Sequence, residues 1–319
     1  MTIKEVPRHA VEPSVIEYAL TRMPEKAIRY WSYIRHGDTT WRTGLRDLGR
    51  ATADHVAART LEDPALATNE SRLALTTAAE CALGVLSLSC FPDGDQEIPL
   101  PLVGEVLTTE EQVYDEAWEP TRPATTARTW ITAFTWCVAS GLVWDWERVI
   151  GLLLREDYAP EIRDGVPCSK RESTSDPADI AEVDALCVYL TQASGHLPMH
   201  WPKVPLCKPN PEERASAARE LDHVGALTPD QRLLRVLLDD DQATFEQALQ
   251  QRLVEHRETV GAHPAPRTLF PVNAVALAVL ASRVHGWQLG IRTAYLPESL
   301  LHASGEVPTA DRPCPETFG

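Results

Sequence analysis

Histidines, carboxylates and cysteines are the side chains that could do chemistry here, and their spacing is the first test. His196 and His200 stand four apart in HLPMH, the interval at which one helix face offers two imidazoles to a zinc ion. That geometry needs an unbroken helix and a general-base Glu after the first His. Pro198 breaks the helix and Leu197 occupies the Glu position, so the pair does not make a zincin site. Glu220 and His223 form a Glu-x-x-His step, which helical di-iron proteins use twice, with further carboxylates; the sequence holds one. His36 and Asp38 could form an acid–base pair, but Gly37 between them marks a helix end, and both read as turn residues. His256 shares a helical stripe with Phe245, Leu249 and Leu253 and reads as a satisfied, partly buried imidazole. Asp239, Asp240 and Asp241 could hold a cation, but they directly precede a helix, where carboxylates are favoured by the backbone dipole. The seven cysteines are odd in number and show no Cys-x-x-Cys pair, so reduced thiols of a cytoplasmic protein are expected. There is no Gly-rich phosphate loop and no Gly-x-Ser-x-Gly elbow. No cofactor, metal site or catalytic set follows from these residues.

The elements that would have to position any site read as helices. Pro13 and Pro24 each suit a first helical turn, and Thr39 or Thr40 can cap a third helix carrying Trp41, Leu45, Leu48 and Val56. Residues 70–90 read as a largely buried helix, followed by FPDGDQEIPLPLVGE as a loop. Thr108 with Glu111 matches a capping box for a helix to Trp118. Further helices are expected at 178–193, after Asn210-Pro211 and Thr228-Pro229, after Asp241, and from Pro271 to Val284. A short extended piece at 287–294 is the one strand signal. The fold class is all-α: a multi-helical globular array over 1–303 with long proline-rich loops and a frayed tail at 304–319.

The stretch TWITAFTWCVASGLVWDWERVIGLLL holds four of the nine tryptophans: Trp130, Trp136, Trp144 and Trp146. Its uncharged run is 16 residues, Thr129 to Trp144, short of the ~20 apolar residues that span a bilayer. Trp130, Phe134, Val138, Gly141 and Trp144 recur at helical spacing, so a buried soluble helix with buried tryptophans is expected, then a second short helix over 145–154. No other run reads as long enough to cross a membrane, and the charged, proline-containing N-terminal stretch does not resemble a signal peptide.

The net charge of −16 is unevenly placed. Residues 1–60 carry 10 bases and 7 acids, whereas residues 61–119 carry 13 acids and one base, Arg72. Such a segment repels nucleic acid and can speed encounter with a basic protein.

Several C-terminal features occur together and in order. They are Phe245-x-x-Ala248-Leu249, His256, the apolar VNAVALAVLASRVHG, Ile291 and YLPESLL. This series resembles the immunity protein 49 family of bacterial polymorphic toxin systems, and Trp130-x-x-Ala133-Phe134 is similar to that family's WLTAF segment. The resemblance spans residues 125–303. The chain departs from the family between Tyr158 and Trp201, and has LLDDDQ where the family usually has a double proline near Leu238. The resemblance implies a cytoplasmic, non-enzymatic protein that binds and neutralises a cognate toxin, with no cofactor. Many such toxins are nucleases with basic clefts, so Glu110, Glu111, Asp115 and Glu116, closely spaced on the expected helix, become the candidate partner-binding residues. A helical metal-dependent enzyme of a biosynthetic pathway and a helical adaptor or regulator are the alternative readings.

Overall fold

The computed structural model describes residues 4–37, 39–90, 96–109, 125–145, 148, 149, 153, 159–165, 174–191 and 206–302. Twelve α-helices, two 3-10 helices and four short strands are the named elements among the described residues, so the all-α expectation holds.

The N-terminal layer comprises α1 (Pro13–Leu20), α2 (Met23–Arg35), α3 (Trp41–Arg59) and α4 (Asn69–Cys90). Thr40 starts α3 by accepting a hydrogen bond from the Thr43 amide, satisfying one of the helix's orphan donors. α3 and α4 pack closely because glycines remove side chains from the contact. A methyl group on Gly84 of α4 would stand 3.1 Å from Leu45 Cδ1 of α3, and one on Gly49 of α3 would stand 3.1 Å from Cys81 Cβ of α4. By length and composition α4 could cross a membrane, although 78% of its most apolar window is buried against the rest of the protein. This corrects the expectation that no such run exists; packing, rather than a break in hydrophobicity, makes it a core helix.

The proline-rich stretch after α4, expected to be a loop, contains an antiparallel hairpin of β2 (Glu97–Leu100) and β3 (Glu105–Thr108), with Ile98 opposite Leu107. Ile98, Leu100 and Leu107 point into a core with Met23, Ile34, Trp41, Leu45 and Leu48. A two-stranded sheet has only edge strands, so Pro99 can occupy one despite lacking an N–H. Thr108 ends β3, and the helix expected to run from it to Trp118 lies outside the described residues from 110 onward.

The central helix α5 (Ala127–Ser140) carries Trp130 and Phe134, both fully buried, with rings stacked at 5.1 Å and 15°. It ends one turn before the expected Trp144, because Gly141 adopts φ +81° and turns the chain into a short 3-10 helix, Leu142–Trp144. Trp136 and Trp144 are half-buried, which corrects the expectation that the tryptophans of this stretch are all buried. Six residues separate Trp136 from Trp130, which places it on another face of α5, and Trp144 is covered by the Arg283 guanidinium, 4.4 Å from its ring. Trp146 lies outside the described residues, as does most of the expected helix over 145–154.

Then follow α6 (Ala159–Asp164), α7 (Pro177–Cys187), α8 (Pro211–His223), α9 (Pro229–Leu237), α10 (Gln242–Thr259), α11 (Val272–Arg283) and α12 (Glu298–Leu301). α7 stops at Cys187, six residues before its expected end. Asn210 with Glu213 and Thr228 with Gln231 form reciprocal capping boxes, each with proline in the first turn. α5 packs against α4, α7 and α11. The extended piece expected at 287–294 appears as β4 (Ile291–Thr293), paired in parallel with β1 (Lys4–Val6).

One ion pair is deeply enclosed. Arg148 Nε lies 3.0 Å from both oxygens of Glu80, and its Nη2 lies 2.6 Å from Oε2, with Glu80 only 4% exposed. Burial pushes the Glu80 carboxyl above its ordinary range, and the guanidinium opposes that shift. Cys81, Cys90, Cys137 and Cys187 are free thiols, whereas Cys207 is disulfide-bonded, which corrects the expectation of reduced thiols throughout. Pairing depends on proximity in space, which spacing along the chain does not reveal.

Candidate functional site

The polar motifs separate into fold-building contacts. His196 and His200 lie outside the described residues. Glu220 and His223 are both exposed on α8, and His223 Nδ1 turns back to the Arg219 carbonyl at 2.5 Å. Among the described residues no three His, Cys, Asp or Glu side chains converge as metal ligands would. His36 ends α2, Gly37 has φ +74°, and Asp38 lies outside the described residues.

His256 is satisfied and half-buried, as expected: its Nε2 lies 2.7 Å from the Thr268 carbonyl. It also belongs to a cluster that the sequence did not suggest. His9 Nδ1 is 2.7 Å from the Tyr295 hydroxyl, His9 Nε2 is 2.8 Å from Thr268 Oγ1, and His256 meets the Tyr295 ring edge-on at 5.5 Å. Desolvation holds both imidazoles below the usual histidine pKa.

The aspartate triplet divides its labour. Asp241 caps α10 and Asp239 pairs with Arg235 at 2.6 Å. Asp240 corrects the capping expectation. At φ +57° it leaves the helical path, and its carboxylate meets Lys208 at 2.8 Å, Arg214 at 3.1 Å and His285 Nδ1 at 2.8 Å. His285 Nε2 in turn lies 2.9 Å from the Tyr189 hydroxyl. This Asp–His–hydroxyl order resembles a catalytic triad, but Tyr189 is fully buried and burial pushes its phenol further from ionisation. The chain is therefore structural. Nδ1–H donates to Asp240, and Nε2 accepts from Tyr189.

Burial lowers His285 to about 4, overcoming the pull of Asp240, whose charge is already shared with two cations. Between about 4 and 6.5 the unfolded imidazole binds a proton that the folded one does not. The stability tied to neutral His285 is thus present above pH 6.5 and lost as pH falls toward 4, by about 3 kcal/mol. Glu182, raised to about 7 chiefly by burial, acts in the opposite sense, its contribution fading as pH rises through 7. Urea unfolding of wild type and His285→Gln across this range separates the two. The variant should lose the acid-side decline, and parallel profiles would refute the assignment.

One concave feature is not accounted for by these networks. A cleft of about 560 Å³ lies between α3, α4 and α5 and is closed by the 3-10 turn Pro266–Leu269 and the start of α11. Ala53, Ala78, Ala82 and Val85 give it an apolar floor, with Trp136 and Phe270 tilted together at 6.0 Å. Four arginines surround it, and none of its described lining residues is acidic. Arg128 is held by Asp179 and Glu182, and Arg267 by Asp54. Arg46 and Arg50, exposed and one turn apart on α3, have no ion-pair partner among the described residues. A sequence signal did exist: they belong to the one segment with a positive balance, residues 1–60.

The candidate residues Glu110, Glu111, Asp115 and Glu116 lie outside the described residues. Elsewhere in the acidic segment much of the charge is engaged internally. Glu62 and Glu70 pair with Arg59, and Glu80 with Arg148. Asp63, drawn down to about 2 by hydrogen bonds from Thr68, Ser71 and Ala67, organises the entry to α4. Glu97 and Glu105, at the ends of the hairpin strands, are exposed.

Residues 63–300 match the family model described as Immunity protein 49. The chain belongs to that family. The immunity protein 49 match begins before α4 and runs into α12, so it reaches well upstream of the residues from 125 onward that carry the resemblance in the sequence. Those residues prove to be interior: Trp130, Phe134, Phe245 and Leu249 are fully buried. They are packing positions, and they do not mark a partner-facing surface. No curated protein and no solved structure shows a match to the chain.

Proposed function

We propose that this protein binds a cognate toxin of a bacterial polymorphic toxin system and neutralises it by stoichiometric association. The family match over residues 63–300 carries the reading. On this reading it acts in the cytoplasm through protein contacts, without nucleic acid, membrane or cofactor. A nuclease toxin with a basic cleft is the partner class best suited to an acidic protein. The deciding experiment pairs growth rescue on co-expression with a binding titration against the toxin encoded beside this gene. A protein that neither binds nor protects is not that toxin's immunity protein.

Within that reading, Glu110, Glu111, Asp115 and Glu116 serve the encounter. Peripheral charges act mainly on association rate and are screened by salt. Glu111→Lys with Asp115→Lys is expected to leave the melting temperature unchanged, slow association and flatten its salt dependence. Stopped-flow or surface-binding kinetics at two ionic strengths reads this out, and identical association rates would move the interface elsewhere.

A further inference from the structure

We propose that the cleft between α3, α4 and α5 is where the toxin is anchored, by a segment that inserts an apolar side chain and presents carboxylates to Arg46 and Arg50. This rests on the immunity reading and adds to it a surface and a partner chemistry. Three observations carry it. The volume of about 560 Å³ and the apolar floor suit a bulky hydrophobic group. The charge is opposite in sign to that of the protein: four arginines and, among the described residues, no acid line the cleft in a chain of net charge −16. Finally, the arginines are not equivalent. Arg128 and Arg267 are fixed by carboxylates on neighbouring elements, whereas Arg46 and Arg50 point like charges along one face of α3 without an ion-pair partner among the described residues. Like charges at this spacing destabilise a helix, and a carboxylate-bearing partner relieves them. Arginine also offers planar, bidentate donors that match a carboxylate.

The two surfaces would divide the work of binding. Acidic residues outside the cleft draw a basic toxin in, and the cleft then retains it through an apolar anchor flanked by ion pairs. Truncating or blocking such an anchor acts mainly on dissociation.

The test uses the full chain and the adjacent gene's purified toxin. Arg46→Glu with Arg50→Glu reverses the rim without touching the core, and Thr132→Trp fills the cleft from an exposed position on α5. Circular dichroism melts verify that both remain folded. Each is expected to speed dissociation at least about tenfold, while Arg46→Lys with Arg50→Lys retains most of the affinity. If wild type binds and protects but both cleft variants dissociate at the wild-type rate, the cleft is not the anchor and the immunity reading stands. If wild type fails to bind, both fall.

Discussion

Trp130→Ala is expected to destabilise the protein by about 3–5 kcal/mol, the range for deleting a large buried aromatic. Trp130 is fully enclosed and its indole stacks on Phe134, so truncation removes both transfer energy and a ring contact. The loss falls on α5, which touches α4, α7 and α11, so the vacancy is bordered by helices that cannot all close in together. The melting temperature should fall on the order of 10 °C. Thermal and urea unfolding, followed by circular dichroism, measure it, and an unchanged midpoint would remove Trp130 from the core. Trp136→Ala at the half-buried cleft wall is the internal comparison and should cost less.

Arg148→Met should be similarly severe for an electrostatic reason. The substitution leaves Glu80 in the interior without its cation, a change that typically costs about 3–5 kcal/mol. Cys81 and Cys137, whose thiols burial pushes up, offer no replacement charge. Burial already raises the Glu80 carboxyl, and loss of the guanidinium raises it further. The variant's deficit should therefore be largest where the carboxylate must ionise and should shrink as pH falls and Glu80 is protonated. Glu80→Met combined with Arg148→Met should recover much of the loss, since two apolar groups fill the site without an orphan charge. A double variant as unstable as the single one would mean that Arg148 acts through packing rather than through its charge.

The helical framework was legible because local chemistry sets it. Asn210-Pro211 and Thr228-Pro229 form the caps that their residue types suggest, and Asp241 starts α10. What the sequence concealed depends on encounters across space. The hairpin was hidden by Pro99 and Pro101, which read as loop until the inward alternation of Ile98 and Leu100 is seen against α2 and α3. Asp240 looked like part of a cap until its backbone angle turned it toward His285. The cleft is built from segments more than 200 residues apart, so no window of sequence could contain it. Its one local trace, Arg46 four residues before Arg50, is an ordinary helical spacing without the wall opposite.

The pairing of β1 with β4 joins Glu5 to Arg292, and the His9–Tyr295 hydrogen bond fastens the same join. Between those strands lies nearly the whole helical assembly. In a disordered chain, bringing two such distant points together carries a large entropy penalty that three residue pairs cannot offset. The contact becomes favourable only after the intervening helices have drawn the ends near one another. The small parallel sheet is therefore a clasp: it closes on a body already assembled, and whether it is closed reports whether everything enclosed has found its place.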